Sequence, residues 1–220
     1  MKDLPVIRGR RKLIAELISQ GEHLQQDFKY VISDARKIAR TISAFANAAG
    51  GHLLIGVKDN GTIAGVRNEE DIFVVEQAAE RYCRPPQHVE FAAYSIDTGI
   101  TVIKASVSPA DHKPVLAQDG DGTWKAYMRV ADENIKASRL MCLAWQLSDA
   151  DAGACYITMG DHETAVMQLV ASAEAPLQPR SIALALHLSQ KATDDILARL
   201  AAIGAITFTL CGDTFAITRP

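Results

Sequence analysis

The chain has 220 residues, of which 48% are hydrophobic and 22% are charged, with a net charge of −3 and a pI near 6.1. This length and composition fit one large or two small globular domains and exclude a disordered chain. The slightly acidic balance excludes a general nucleic-acid coat, in which Lys and Arg are in excess.

The cysteine pattern indicates a reducing compartment. Cys83, Cys142, Cys155 and Cys211 are far apart and show neither CxxC nor Cys/His metal spacing, so a disulfide framework is not favoured. No apolar run reaches membrane-spanning length, and no signal-peptide pattern opens the sequence. We therefore expect a cytoplasmic protein with no membrane partner.

The first part of the chain predicts an α+β domain with a mixed sheet. Helical spacing of apolar residues predicts helices over 12–19, 34–48, 71–83 and 139–147. Strands are predicted over 24–31, 52–57, 62–65, 89–96, 100–107, 115–118 and 123–130, the last four as two hairpins.

The segment 34–65 contains the clearest signals for helix ends and turns. Ser33 and Asp34 suit the start of its helix, and Gly50-Gly51 suits the end, since glycine accepts a left-handed conformation. The apolar run 52–57 predicts a strand buried on both faces. Asn60-Gly61 then predicts a type I′ hairpin turn.

The pattern changes after an Asp-, Ala- and Gly-rich segment at 148–160, which predicts a linker. Helices are predicted over 161–173, 179–188 and 189–203, followed by a hairpin of 206–210 with 214–218. Three helices and a hairpin resemble a winged helix-turn-helix. The expected organisation is a first domain at 1–147, a linker at 148–160 and a winged-helix-like domain at 161–220.

The charges are unevenly distributed between these domains. Residues 1–40 contain nine Lys and Arg against five Asp and Glu, whereas residues 151–220 contain four against seven. A phosphate-facing surface is therefore expected in the first domain. The alternative is that the cations of residues 8–12 form an exposed, partly frayed arm.

The first domain resembles the Schlafen-type AlbA-like family, to which DNA binding is attributed in bacteria. The resemblance covers roughly residues 15–140 and implies an AlbA-like fold. The motifs that carry it are Glu22, Asp27-Phe28-Lys29, Ala-Phe-Ala-Asn-x-x-Gly-Gly at 44–51, Ile-Gly-Val-x-Asp at 55–59, Gly65, His112-Lys113-Pro114-Val115 and Tyr127-Met128-Arg129-Val130.

The resemblance also implies a candidate catalytic and metal site. In some Schlafen nucleases three carboxylates cut RNA with a divalent metal, and Glu22, Asp27 and Asp59 occupy the matching positions. Mg²⁺ or Mn²⁺ prefers such oxygen ligands. Glu22 must lie outside the strand to converge with Asp27, because residues five apart in one strand face opposite ways. We favour turn and loop roles for these acids, hence no catalysis and no cofactor.

Candidate nucleic-acid contacts fall in both domains. Lys29 is assigned to phosphate by the resemblance, with an ion pair to Asp27 as the alternative, and Asn47 is assigned to helix capping. Arg129 is expected to form a cation–aromatic surface with Tyr127 and Trp124, or to lie on a half-buried strand. The full set is Arg8, Arg10, Arg11, Lys12, Lys29, Arg36, Lys37 and Arg129, with Gln190, Lys191 and Thr193 at the start of the third C-terminal helix.

The C-terminal hairpin argues for a different role of the second domain. Its tip, residues 209–214, has no Lys or Arg, although phosphate contacts supply much of the affinity for DNA. A dimerisation or packing module is therefore favoured over the main DNA reader.

Three functions are consistent with the sequence. The leading hypothesis is a homo-oligomeric transcriptional regulator that binds nucleic acid, with DNA favoured, and does not catalyse a reaction. The alternatives are a ribonuclease dependent on Mg²⁺ or Mn²⁺ through Glu22, Asp27 and Asp59, and a homo-oligomeric interaction scaffold.

Overall fold

The computed structural model describes residues 6–8, 10–66, 70–97, 99–150 and 158–220. Contacts divide these residues into two compact units, one up to residue 111 together with 115–136, the other 112–114 together with 137 onwards. The first unit holds β1 (Val6–Ile7), α1 (Arg11–Ser19), β2 (Gln26–Lys29), α2 (Ala35–Asn47), β3 (Gly51–Ile55), α3 (Glu70–Arg81), β4 (Cys83–Arg84), β5 (Val89–Asp97), β6 (Ile100–Val107), β7 (Leu116–Gln118), β8 (Trp124–Val130) and β9 (Glu133–Lys136). The second holds α4 (Arg139–Ala150), α5 (Asp161–Ser172), α6 (Pro179–Ala185), α7 (Gln190–Ala202), β10 (Thr207–Cys211) and β11 (Thr214–Thr218).

The first unit is α+β with a mixed sheet, as predicted. Its described strands form one sheet in the order β1-β5-β6-β3-β2 and a second in the order β4-β7-β8-β9. The pairs β1–β5 and β2–β3 are parallel, and the remaining pairs are antiparallel. The short strands β1, β4 and β9 were not predicted, because two to four residues are too few to show the alternation of apolar and polar residues that identifies a strand.

The five-stranded sheet has a helical layer on each face. Leu53 and Ile55 of β3 are buried with the apolar residues of α2 and α3. Leu54, between them, is buried with Ile14 of α1. Successive residues of a strand point to opposite faces, so α1 and α2 cover opposite faces of the sheet.

Both ends of α2 agree with the prediction. The Asp34 carboxylate caps the start by accepting from the backbone N–H groups of Arg36 and Lys37, at 3.0 and 3.3 Å. At the end, the N–H of Gly50 donates to the Phe45 carbonyl at 3.0 Å with a φ of +77°. A Cβ on Gly50 would lie 2.8 Å from the Val107 carbonyl oxygen, so this position requires glycine for two reasons.

The turn after β3 differs from the predicted type I′. A type I′ turn needs positive φ at both central residues, but the described non-glycine residues with positive φ are Ala131 and His187. Asn60 instead accepts the N–H of Thr62 through its side chain at 3.0 Å. Gly61 alone takes the left-handed conformation, with a φ of +79°. The predicted strand 62–65 is reduced to a single bridge between Val57 and Ile63.

Asn47 joins α2 to the second sheet. Its buried side-chain amide donates to the carbonyls of Val115 and Tyr127, at 2.9 and 2.8 Å, and its oxygen accepts the N–H of Val115 at 2.7 Å. All these partners are distant in sequence. The side chain is therefore a structural bridge and not the helix cap that the sequence suggested.

The second unit contains the predicted C-terminal elements. Ser189 caps α7 by accepting the N–H of Ala192 at 3.2 Å, and Pro179 begins α6. The strands β10 and β11 pair as an antiparallel hairpin. The core is apolar and includes Val166, Ile182 and Leu197.

The contact division differs from the expected domain limits at one helix. The expected limit at 147 grouped α4 with the first domain, whereas Leu140 of α4 is buried with Val166 and Leu197 of the second unit. An amphipathic helix near a boundary has the same sequence pattern whichever core it joins. Residues 151–157 of the expected linker lie outside the described residues.

Within the described part of the chain, no helix combines the length and apolar character that crossing a membrane requires.

Candidate nucleic-acid interface

A cleft of about 690 Å³ opens in the first unit beside β2, the start of α2 and the β8–β9 hairpin. Its described lining includes six carboxylates and four cations, so its effective charge depends on which of them are paired. The carboxylates are Glu22, Asp27, Asp34, Asp59, Asp132 and Glu133, and the cations are Lys29, Lys37, Arg40 and Arg129.

The cleft brings together the three carboxylates singled out by the sequence. Glu22 precedes β2 and turns back, so that its carboxylate accepts the N–H of Phe28 at 2.7 Å. Asp27 lies on β2 and is only 4% exposed, whereas Asp59 is exposed at the turn after β3. Glu22 therefore lies outside the strand, which is the condition that the sequence set for it to approach Asp27.

Asp27 is held between two cations. Arg129 Nη2 lies 3.1 Å from Asp27 Oδ1, and Lys29 Nζ lies 2.7 Å from Oδ2. The ammonium of Lys29 directs a hydrogen bond to the Phe28 carbonyl at 2.8 Å. Among the described residues, Oδ2 accordingly has an ion-pair partner but no well-directed hydrogen bond.

Arg129 is a buried structural residue. It is 3% exposed, and its guanidinium donates to the Gln26 carbonyl at 3.1 Å and to Asn134 Oδ1 at 3.0 Å. Its Cζ also lies 5.3 Å from the centre of the Phe45 ring. This corrects the expectation of an exposed surface formed with Tyr127 and Trp124, because position 129 faces inward on β8 and its donors are already bound.

The three carboxylates as they stand do not fit a metal ion. Among the described residues, no group of three or more His, Cys, Asp and Glu side chains is arranged to hold one. Asp27 is bound by Lys29 and Arg129 on its two oxygens. Burial raises the pKa of Glu22 above its usual range, opposed by the Phe28 N–H and reinforced by the Asp27 charge.

A hydrogen-bonded cluster around one further carboxylate, which the sequence did not reveal, supports one wall of the cleft. The buried Asp119 carboxylate accepts from Arg40 Nε at 2.8 Å, from Lys125 Nζ at 2.6 Å and from the Tyr127 hydroxyl at 2.6 Å. Burial alone would raise the pKa of Asp119, but the Lys125 and Tyr127 hydrogen bonds and the Arg40 charge lower it overall. Asp119 stands in an Asp-Gly-Asp-Gly stretch between the strands predicted over 115–118 and 123–130.

The fold of this unit agrees with a family assignment. The family model described as Schlafen, AlbA_2 matches residues 22–138, just over half of the chain. The chain belongs to the Schlafen AlbA_2 family.

Other comparisons add little to this assignment. No curated protein matches the chain significantly. Among solved structures, the DIP2311 protein from Corynebacterium diphtheriae is similar, with 19% identity and a TM-score of 0.44, over 94% of this chain and 39% of that one. The chain therefore spans about two fifths of the length of that protein, and the match gives no information on activity.

The predicted cations of the first unit are divided between two faces. Arg11 and Lys12 belong to α1 and are exposed, as are Arg8 and Arg10. The exposed pair Arg36 and Lys37 begins α2, on the opposite face of the sheet. The excess of positive charge in residues 1–40 therefore does not belong to one helical layer.

The predicted contacts outside the AlbA_2 domain are mostly occupied. Thr193 is 0% exposed, and its hydroxyl donates to the Ser189 carbonyl at 3.1 Å. The Gln190 amide donates to Asp194 at 2.8 Å. Of the three residues predicted in this helix, Lys191 is the exposed one without a described contact. Thr193 is therefore not available to a ligand, because the helix packs that face inward.

Removing Arg129 is expected to destabilise the AlbA_2 domain strongly. In Arg129→Met, Asp27 stays buried with one partner fewer, and breaking a buried pair from one side costs about 3–5 kcal/mol. Urea unfolding, followed by Trp124 fluorescence in a Trp145→Phe background, measures this decrease in the free energy of unfolding. The matched exposed exchange Arg180→Met should cost less than about 0.5 kcal/mol. If Arg129→Met lowers the free energy of unfolding by less than about 1 kcal/mol, the Arg129–Asp27 pair does not stabilise the fold.

Proposed function

We propose that this AlbA_2-family chain is a transcriptional regulator that binds DNA without catalysis. The observation that carries the proposal is the start of α2, where the exposed Arg36 and Lys37 have no acidic partner among the described residues. Unpaired cations on one surface attract a polyanion, and each phosphate they neutralise releases counterions.

The pairing of charges within the cleft supports binding without chemistry. Asp27 is neutralised by Lys29 and Arg129, so it is not free to ligate a metal. The remaining exposed acids make the cleft interior unfavourable for phosphate. We therefore assign the phosphate contacts to the rim of the cleft, where Lys37 stands, and not to its floor.

A salt series with duplex DNA tests this function. Wild-type affinity should fall linearly with log salt concentration, and Lys37→Gln should reduce the slope by about 0.9, the contribution of one phosphate contact in duplex DNA. Lys191→Gln makes the same exchange in the second unit and measures whether that unit contributes a phosphate contact. Absence of a complex at about 20 mM salt, where the phosphate contribution is largest, would end the proposal. An effect of Lys191→Gln with none from Lys37→Gln would transfer the site to the second unit.

The second unit is proposed to be a winged-helix-like assembly module. The order of α5, α6 and α7 followed by the β10–β11 hairpin supports the comparison, and the scarcity of free polar groups at the start of α7 argues against base reading. Leu184 on α6 is 70% exposed, which suits a contact with a second copy of this chain.

Replacing Leu184 is therefore expected to weaken self-association. In Leu184→Glu an exposed leucine becomes a charge that a partner copy must desolvate, so the sedimentation coefficient should fall to that of a monomer. Leu24→Glu is the matched exchange, since Leu24 is 53% exposed in the first unit. Equal sedimentation of wild type and Leu184→Glu would exclude α6 as the assembly surface.

A metal-dependent ribonuclease is the second candidate. The observation in its favour is that Asp59, distant in sequence, lines the same cleft as Glu22 and Asp27. Lys29 must leave Asp27 before a metal is held there. The chemistry that Mg²⁺ or Mn²⁺ would supply is stabilisation of charge on a phosphoryl group.

Incubation with single-stranded RNA and Mn²⁺ tests this candidate. If the carboxylates act together, cleavage by the wild type should disappear in Asp59→Asn and in Glu22→Gln, which keeps an acceptor for the Phe28 N–H. Glu133→Gln is the control, because Glu133 lines the same cleft without belonging to the three. RNA that stays intact after long incubation with the wild type, or cleavage that persists in Asp59→Asn, would reject the ribonuclease.

A further inference from the structure

Two exposed arginines outside the cleft each lie on an aromatic ring. Arg36 Cζ is 4.9 Å from the centre of the Tyr82 ring, and Arg84 Cζ is 4.0 Å from the centre of the Trp124 ring. All four residues belong to the first unit. We call them the stacked-arginine face.

The chain brings the two pairs close together. Tyr82 and Arg84 flank Cys83, which is buried with its Sγ directed to the Ala39 carbonyl at 3.6 Å. Two residues apart on an extended segment, their Cα atoms are separated by about 6.6 Å. The Tyr82 carbonyl accepts the N–H of Gln118 at 2.9 Å, and Gln118 pairs with Trp124 across β7 and β8. Both rings are thus fixed to one corner of the second sheet.

The charges of this face are not neutralised within the described part of the chain. Arg40, Arg129 and Arg199 all have a carboxylate partner there, whereas Arg36 and Arg84 have none, only their rings. Stacking on a ring fixes the plane of a guanidinium and leaves its N–H edge and its outer surface open. These are the groups that bind a phosphate and stack on a base.

We propose that the stacked-arginine face binds single-stranded nucleic acid. Phosphates accept hydrogen bonds from the N–H edges of Arg36 and Arg84, and a base stacks on an outer guanidinium plane. A base must leave its duplex partner and its neighbours to stack on a side chain, which favours single strands over duplexes. The proposal rests on nucleic-acid binding by the first unit and names its surface and ligand class.

Anisotropy titrations of a labelled 20-nucleotide single strand, in DNA and RNA forms, test the proposal across a salt series. The double variant Arg36→Gln/Arg84→Gln should lower the salt slope by about 1.4, since each single-strand phosphate contact contributes about 0.7. At 0.1 M salt this corresponds to roughly 25-fold weaker binding. The matched double variant Arg139→Gln/Arg180→Gln removes two exposed arginines of the second unit and should leave the slope unchanged.

Two further measurements separate stacking from charge. Arg84→Lys keeps the charge but loses the planar fork, so affinity should fall while the salt slope stays within about 0.3 of wild type. In a Trp145→Phe background, Trp124 emission should change when the strand binds. Unchanged affinity of Arg36→Gln/Arg84→Gln for the single strand would overturn the proposal.

The outcomes also distinguish this proposal from the broader one. If the wild type binds duplex DNA but no single strand, the proposal for the stacked-arginine face is rejected and the proposal of a DNA-binding regulator remains. A wild type that binds neither form at about 20 mM salt rejects both, because electrostatic binding is strongest there.

Discussion

The buried Arg129 guanidinium is the constraint on which the cleft depends. A charge that is 3% exposed is tolerated only when opposite charge and hydrogen-bond acceptors surround it. Asp27 supplies the charge, and the carbonyl of Gln26 and the side chain of Asn134 supply acceptors. Because Arg129 is on β8 and Asp27 on β2, this requirement fixes the second sheet against the edge of the first. The cleft is the space that remains beside that junction.

The Asn47 amide adds a second, uncharged connection between the same layers. Three of its hydrogen bonds go to backbone groups of Val115 and Tyr127, and a buried backbone group left unpaired costs about 1–3 kcal/mol. One asparagine on α2 thereby fixes the positions of the chain before β7 and of β8. Arg129 and Asn47 together explain how two separate sheets present a single cleft to solvent.

Local structure was largely predictable, because its signals lie within a few residues. Asp34 and Gly50 delimit α2 as expected, and the hairpins of β5–β6 and β7–β8 follow from alternation and turn residues. Only the resemblance to a family related Glu22, Asp27 and Asp59 to one another, and the structure places all three in the lining of one cleft. The burial of Arg129 and the bridge made by Asn47 could not be predicted from the sequence, because their partners lie up to about a hundred positions away along the chain. The type I′ prediction failed because the Asn60 side chain satisfies the turn in another way.

Counting charges along the sequence does not show which cations stay unpaired after folding. The cations of residues 1–40 are split between α1 and α2 on opposite faces of the sheet, and Lys29 neutralises Asp27. The relevant quantity is the number of cations left without a carboxylate after folding, because a paired charge adds little to the field felt by a polyanion. By that measure Arg84, which no motif had singled out, resembles Arg36 more closely than Arg129 does. The motif residues Asp27, Asn47 and Arg129 hold the domain together, whereas the unpaired Arg36 and Arg84 are exposed to solvent.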